Sequence, residues 1–457
     1  MHRQLLQIHF SIWHNSLSII TIYHLTDDMN LIKKIIVAIL TLEARLVLWR
    51  YQPKIIAVTG SVGKTTTKDA IFAALSPHLH IRKSEKSLNS EFGVPLTILG
   101  LESGWNDPLK WISNIFQGLL QILIRTNYPK WLVIEVGADR PGDIRRIARW
   151  LRPDIAIITA IPKIPVHVEY FASPEEVFKE KRALAEYLKP GGTLVLYGDD
   201  TRLQSASTSF KGAVITYGYD EKNTFTISHD AILYDGSTPT GTSFRVDYAG
   251  ASIPVVLYGA LGRPRAYSAT AALAVATIIQ NNMIEAGQSL GSWLPSPGRL
   301  RLIPGMRHSM IIDDTYNASP AATMAALDTL NQVSATRRIA VLADMMELGK
   351  YSSDAHKEVG AYAATCCDVL ITVGFRARAI AEAALDAGMS DDAILQYEHG
   401  ESERAGLELA PNVREGDVIL VKGSQSMRME KAVAALLAQP EKAPELLVRQ
   451  DEAWQNR

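Results

Sequence analysis

The run Ile55-Ile56-Ala57-Val58-Thr59-Gly60-Ser61-Val62-Gly63-Lys64-Thr65-Thr66-Thr67 constrains the fold more than any other part of the chain. An apolar stretch with the length of a buried strand meets a glycine turn, then Lys-Thr, then a helical pattern. Such a turn points backbone N–H groups into one concavity at a helix N-terminus, where the dipole favours an anion, and Thr59 to Thr66 are read as the nucleotide-binding residues. Lys64 would reach the terminal phosphates of a nucleotide, and the Thr65 hydroxyl would ligate its Mg2+. Val58 stands where this kind of loop usually begins with glycine, so Gly60 and Gly63 are the only glycines of a shortened loop. Gly-Lys-Thr in an ordinary surface loop is the bland alternative; its place between strand and helix favours phosphate binding.

At 457 residues the chain exceeds one core, and its length suggests about three domains. A net charge of −1 gives no electrostatic reason to expect a nucleic-acid partner. Cys366 and Cys367 are adjacent in an apolar helical context, which reads as buried thiols in a reducing, cytoplasmic setting. Residues 1–28 lack a clear helical period and a cleavage-site pattern, and Met29 is read as an equally good start of the chain. From residue 30 to 50 a helix is expected. Its longest uncharged run, Ile35 to Leu42, falls far short of the ~20 residues that span a bilayer, so no transmembrane span is expected. Three readings of that helix stay open: packing against the nucleotide domain, which is favoured, docking of a protein partner, and an interfacial helix with Lys33 and Lys34 on lipid head groups.

Residues 51–295 alternate short apolar strands (Lys54–Thr59, Trp131–Glu135, Ile155–Thr159, Thr193–Tyr197) with helical stretches. This predicts an α/β domain with a mostly parallel sheet. Residues 213–258 read as an antiparallel excursion of the same domain, and 266–281 as an Ala-rich helix. After the linker Pro295-Ser296-Pro297-Gly298-Arg299 a second alternating unit, 296–457, predicts a Rossmann-like α/β domain with strands at Met310–Asp313, Arg338–Leu342, Val369–Val373 and Val418–Lys422. The tail after Gln439 reads as solvated. Ligands of open α/β sheets gather at the carboxyl ends of strands. Glu135, His167, the Asp313-Asp314 tandem and Lys422-Gly423-Ser424 all stand at such ends, and Lys181 alone would pass for a solvated helix residue.

In this order the segments 58–67, Asn89–Leu99, Glu135–Ile144, His167-Val168-Glu169 with Lys181, Asp313–Pro320, Val341–Gly349 with His356, and Val421–Ser424 with Arg428 and Glu430 resemble the Mur ligase family, closest to its MurF type. The resemblance implies an ATP-dependent amide ligase of peptidoglycan precursor synthesis. ATP would phosphorylate a carboxylate of a UDP-muramoyl peptide, and the amine of D-alanyl-D-alanine would attack the acyl phosphate. By that resemblance Lys64 holds the β- and γ-phosphates, Thr65 and Glu135 hold one Mg2+, and His167 supports a second. Lys181 matches the lysine that becomes carbamylated in this family. Arg299 and Asp314 come from the C-terminal domain onto the nucleotide, while Asn89, Lys422, Gly423 and Ser424 face the substrates.

Two departures accompany the match. MurF-type members carry an N-terminal domain that holds the uridine diphosphate, and residues 1–50 are expected to be too short for one. In Gly262-Arg263-Pro264-Arg265-Ala266-Tyr267-Ser268 the family typically has His and Asn at 264 and 265 and Asn at 268; Pro264 has no N–H to donate, and Arg265 has no side-chain acceptor. Arg265 is read as stacking on a purine instead. Ser87 and Ser90 are milder changes. Two other readings remain: a ligase of the same superfamily with a different carboxylate substrate, and a nucleotide-binding homologue without catalysis.

Overall fold

The computed structural model describes residues 32–85, 88–105, 107–208, 210–451 and Trp454. The expectations for residues 1–28, Met29 and Ser87 lie outside these residues. Two compact units divide the chain: one from Met1–Pro53 with Leu88–Tyr128, the other from Lys54–Ser87 with Pro129–Arg457.

The larger unit holds two sheets. The first has nine strands: β1 (Lys54–Thr59), β2 (Ile81–Lys83), β3 (Trp131–Glu135), β4 (Ile155–Ile158), β5 (Thr193–Tyr197), β6 (Ala213–Gly218), β7 (Phe225–Asp235), β8 (Thr238–Tyr248) and β9 (Ala251–Tyr258). Their spatial order is β2-β3-β1-β4-β5-β6-β7-β8-β9. Pairing is parallel from β2 to β7 and antiparallel through β8 and β9. β1 is buried on both faces after Lys54, as a central parallel strand must be, whereas β9 alternates exposed and buried residues. The Ala-rich helix runs Arg263–Ile278; its small, buried side chains let it lie close against the helix Lys64–Leu75 that follows the glycine turn.

The second sheet takes β10 (Arg301–Pro304), β11 (Met310–Asp314), β12 (Arg337–Ala343), β13 (Val369–Val373), β14 (Ile394–Tyr397) and β15 (Asp417–Lys422) in the order β10-β11-β15-β12-β13-β14. Only β10 runs antiparallel. The expectation of a solvated tail fails here. Leu447 and Arg449 are buried, and the Arg449 guanidinium donates to the Thr315 and Tyr316 carbonyls and pairs with Glu430.

The smaller unit pairs a helix over residues 32–51 with Pro108–Leu123, a helix not singled out from the sequence. Asp107 caps the latter by accepting from the Leu109 and Lys110 N–H groups. The Tyr51 hydroxyl lies 3.1 Å from the Gln121 carbonyl, and its ring stacks on Tyr128 at 4.6 Å. Glu43 sits between the helices, its carboxylate so close to Gly118 that a Cβ there would fall 2.2 Å from Oε2. Burial lifts this carboxyl from 4.5 to about 7. Between those values the folded chain holds a proton that the unfolded chain has released, so stability declines as pH rises through that window. Glu43→Gln is therefore expected to raise the thermal midpoint by a few degrees at pH 8 and to change it little at pH 4, as measured by differential scanning fluorimetry.

Candidate functional site

β1 delivers the glycine turn between β3 and β4. Gly60 has φ 143°, and a Cβ there would fall 2.0 Å from the Thr159 hydroxyl, so the turn accepts only glycine. The Ser61 and Val62 N–H groups donate to the Ala160 carbonyl and pin the loop to the end of β4. Gly63 (φ 86°) caps the helix Lys64–Leu75, whose first ladder bond is Thr67 N–H to the Gly63 carbonyl at 2.8 Å. The N–H groups of Gly63, Lys64, Thr65 and Thr66 thus have no acceptor within the helix, which is the geometry of an anion site. The buried hydroxyls of Thr59 and Ser61 also lack a protein partner, and phosphate oxygens would supply one.

Glu135 ends β3 in register with Val58 of β1. Lys64 has its pKa lowered chiefly by burial, with Glu135 opposing and Arg299 adding to the fall. Lys181, on the helix Pro174–Glu186, is almost fully buried, and its Nζ lies 3.4 Å from the Ala138 carbonyl. Burial first, and then the Lys64 charge, bring the Lys181 ammonium down to about 7. His167 Nδ1 lies 2.7 Å from a Glu347 carboxylate oxygen, and its Nε2 is 3.9 Å from Asp139. That contact holds the Glu347 carboxyl below its usual range. Both residues occupy left-handed backbone (φ 65° and 64°), strained conformations held in place by the fold around them.

Arg299 arrives from the linker with its flanking backbone fixed. The Gly298 N–H donates to Asp313 Oδ2 at 2.9 Å and the Leu300 N–H to Asp314 Oδ1 at 3.1 Å. Arg265 Nη2 donates to the Arg299 carbonyl at 2.7 Å. The Arg299 guanidinium lies 3.8 Å over the Tyr316 ring, and its Nη2 is 3.4 Å from the Thr65 hydroxyl. Behind it, Lys422 pairs with Asp314 and donates to the Asn317 carbonyl. The Ser424 hydroxyl accepts from the Met346 N–H at 2.8 Å, joining the end of β15 to the loop that carries Glu347.

Residues 58–276 match the Mur ligase middle domain, and residues 298–425 match the Mur ligase glutamate ligase domain. The UDP-N-acetylmuramoyl-tripeptide–D-alanyl-D-alanine ligase of Bacillus subtilis is 30% identical over 392 residues, covering 85% of this chain and 76% of the relative. The chain belongs to the Mur ligase family. Its fold is similar to MurF of Thermotoga maritima in complex with ADP (TM-score 0.73, 24% identity, 90% of this chain and 84% of that one). It is also similar to MurF from Acinetobacter baumannii (TM-score 0.71, 25% identity, 87% and 80%). It is a MurF-like ligase.

Within this Mur ligase fold the sequence-predicted residues fall into distinct groups. Thr59 to Thr66, Glu135, Lys181 and Arg299 meet around the glycine turn. Asp314 stands behind Arg299, its two oxygens already serving Leu300 and Lys422. Gly423 and Ser424 follow at the end of β15, and Asn89 lies in the smaller unit. Arg265 is not free to stack on a purine: it is buried with its guanidinium 4.8 Å over Trp293, and burial lowers its pKa to about 9. Glu347, Tyr316, Trp293 and Arg449 are site residues that sequence reasoning did not identify. Glu347 lay inside a matched segment, whereas Arg449 had no signal at all.

Among the described residues no three His, Cys, Asp or Glu side chains are grouped to hold a metal ion. Mg2+ asks for hard oxygen ligands, and it commonly takes only one or two from the protein and the rest from phosphates and water. Glu135 and the Thr65 hydroxyl are ligands of that type, so the residues fit.

Proposed function

We propose that this chain joins a carboxylate of a UDP-muramoyl tripeptide to the amino group of D-alanyl-D-alanine in the cytoplasm, cleaving ATP to ADP and phosphate. The observation that carries this reading is the meeting of Lys64 and Arg299 at one glycine turn, with the Arg299 Nη2 3.4 Å from the Thr65 hydroxyl. Phosphorylating a carboxylate brings two anions together, and fixed positive charge at the point of transfer lowers that barrier. Lys64 and the N–H groups of the helix N-terminus bind the phosphates, and Arg299 lies over the same turn from the C-terminal side. The amine of D-alanyl-D-alanine then attacks the acyl phosphate, forming the C–N bond of the amide as phosphate leaves and the nitrogen loses a proton. The segment Lys422 to Ser424 is assigned to the amine substrate, and Asn89 to substrate binding.

Thr65 and Glu135 would hold Mg2+, with His167 in support of a second ion. When bound, the metal neutralises charge on the transferred phosphoryl group. Lys181 is assigned a further task. A neutral amine adds CO2 and loses a proton to become a carbamate, which turns a buried cation into an anionic oxygen ligand. An amine with a pKa near 7 has a substantial neutral fraction at physiological pH, whereas an ordinary lysine has almost none. The division into residues 1–50, a central ATP domain at 51–295 and a C-terminal domain at 296–457 completes the proposal, as does a docking role for the helix at 30–50.

The test is ADP release with Mg2+, ATP, UDP-muramoyl tripeptide and D-alanyl-D-alanine. Release that requires both substrates is expected. Release with another carboxylate in place of the muramoyl peptide would assign the chain to a different substrate.

A further inference from the structure

The two long helices of the smaller unit each present a large apolar face outward. On Pro108–Leu123, the exposed Leu109, Ile112, Phe116, Leu119 and Leu123 form one stripe at helical spacing, and Leu109 is 76% and Leu123 65% exposed. The other side carries the buried Asn114 and Gly118 beside the half-buried Trp111, Ile115 and Ile122. The usual arrangement of a surface helix, apolar inside and polar outside, does not hold here, because large apolar side chains also line the outer face. On the helix over 32–51, Ile35, Leu42, Leu46 and Trp49 form a second exposed stripe, with Trp49 76% exposed, opposite buried Leu40, Ala44 and Val47. Scattered exposed hydrophobics are ordinary; two uninterrupted stripes on paired helices are not.

We propose that this unit rests on an anionic lipid surface through these two stripes. The charges around the second stripe select that occupant. Every exposed charged side chain of the 32–51 helix is a cation: Lys33, Lys34, Arg45 and Arg50; its one carboxylate, Glu43, is buried. At helical spacing Lys34 and Arg45 run along one border of the stripe and Arg50 along the other. Long cationic side chains flanking an apolar stripe with Trp at its end match the head-group and acyl layers of a membrane interface. A second copy docked by a twofold axis would instead set these cations against each other. No helix among the described residues is long and apolar enough to cross a membrane.

The experiment is co-sedimentation of the full chain with phosphatidylcholine vesicles, with and without phosphatidylglycerol, beside sedimentation-velocity analysis without lipid. Binding to the phosphatidylglycerol vesicles is expected, weaker in high salt, and reduced about tenfold or more in an Ile112→Glu, Phe116→Glu variant. ADP release by that variant in solution stays unchanged, because the substituted side chains are exposed and outside the ligase site. The proposal is overturned by any of four results: no vesicle binding, binding that the variant retains, a lipid-free dimer that the variant dissolves, or binding that appears only after residues 1–30 are deleted. The third would assign the face to a second copy, and the fourth would show that the chain's own first residues cover it.

Discussion

Lys64→Ala is expected to lower ligation by at least about a hundredfold, mostly in kcat, because the lost charge acts on the phosphoryl group while it is being transferred. Nucleotide binding should survive better, since the helix N-terminus and the buried Thr59 and Ser61 hydroxyls remain. The variant also has a second effect. Lys64 is one of the two main causes that depress the Lys181 ammonium. Removing it lets the Lys181 pKa climb from about 7 toward its ordinary value, which leaves less neutral amine at pH 7.5. Steady-state kinetics with and without added bicarbonate measures both effects: bicarbonate should help the variant at higher pH and do little at neutral pH. Undiminished kcat in the Lys64→Ala variant would remove Lys64 from phosphoryl transfer.

Lys181→Ala carries the second large effect. If the amine becomes a carbamate, the variant loses an anionic ligand at the site, and a loss of about a hundredfold or more is expected. The wild-type enzyme freed of CO2 should be slow and should recover on addition of bicarbonate, and the Lys181→Ala variant should not respond. Below pH 7 the neutral fraction of Lys181 falls about tenfold per unit, so carbamate formation should fade toward pH 6. A carbamate carbon resonance from 13C-bicarbonate, present in the wild type and absent in the variant, tests the chemistry without turnover. A wild-type enzyme with neither the resonance nor any dependence on bicarbonate would leave Lys181 as a buried cation.

What could be read in advance was local. The apolar run into Gly60 predicted β1, the turn and the helix after it, because strand, turn and helix propensities all act within a dozen residues there. The parallel sheet followed from the alternation of strands and helices; the antiparallel excursion expected over 213–258 holds only from β7 to β9, because β6 pairs parallel with both β5 and β7. Pairings between distant residues could not be read. His167 and Glu347 meet across a long stretch of chain, and neither segment announces the other. Asp314 was read as a nucleotide ligand, but register places Lys422 on the neighbouring strand β15 directly beside it, where the two form an ion pair. Arg265 likewise found Trp293 and the Arg299 carbonyl. The tail was read as solvated because its apolar content is low; one buried arginine, Arg449, holds it against the loop that carries Tyr316. The helix Pro108–Leu123 lies between two matched segments, and Leu109, Ile112, Phe116, Leu119 and Leu123 face outward.

An amide made through an acyl phosphate leaves an isotopic trace in the released phosphate. The most direct measurement uses UDP-muramoyl tripeptide with 18O in its reacting carboxylate, ATP and D-alanyl-D-alanine, with products resolved by mass spectrometry. The expected products are the amide and inorganic phosphate carrying one 18O atom from the carboxylate. ADP formed without the amide, or an amide accompanied by unlabelled phosphate, would contradict that chemistry.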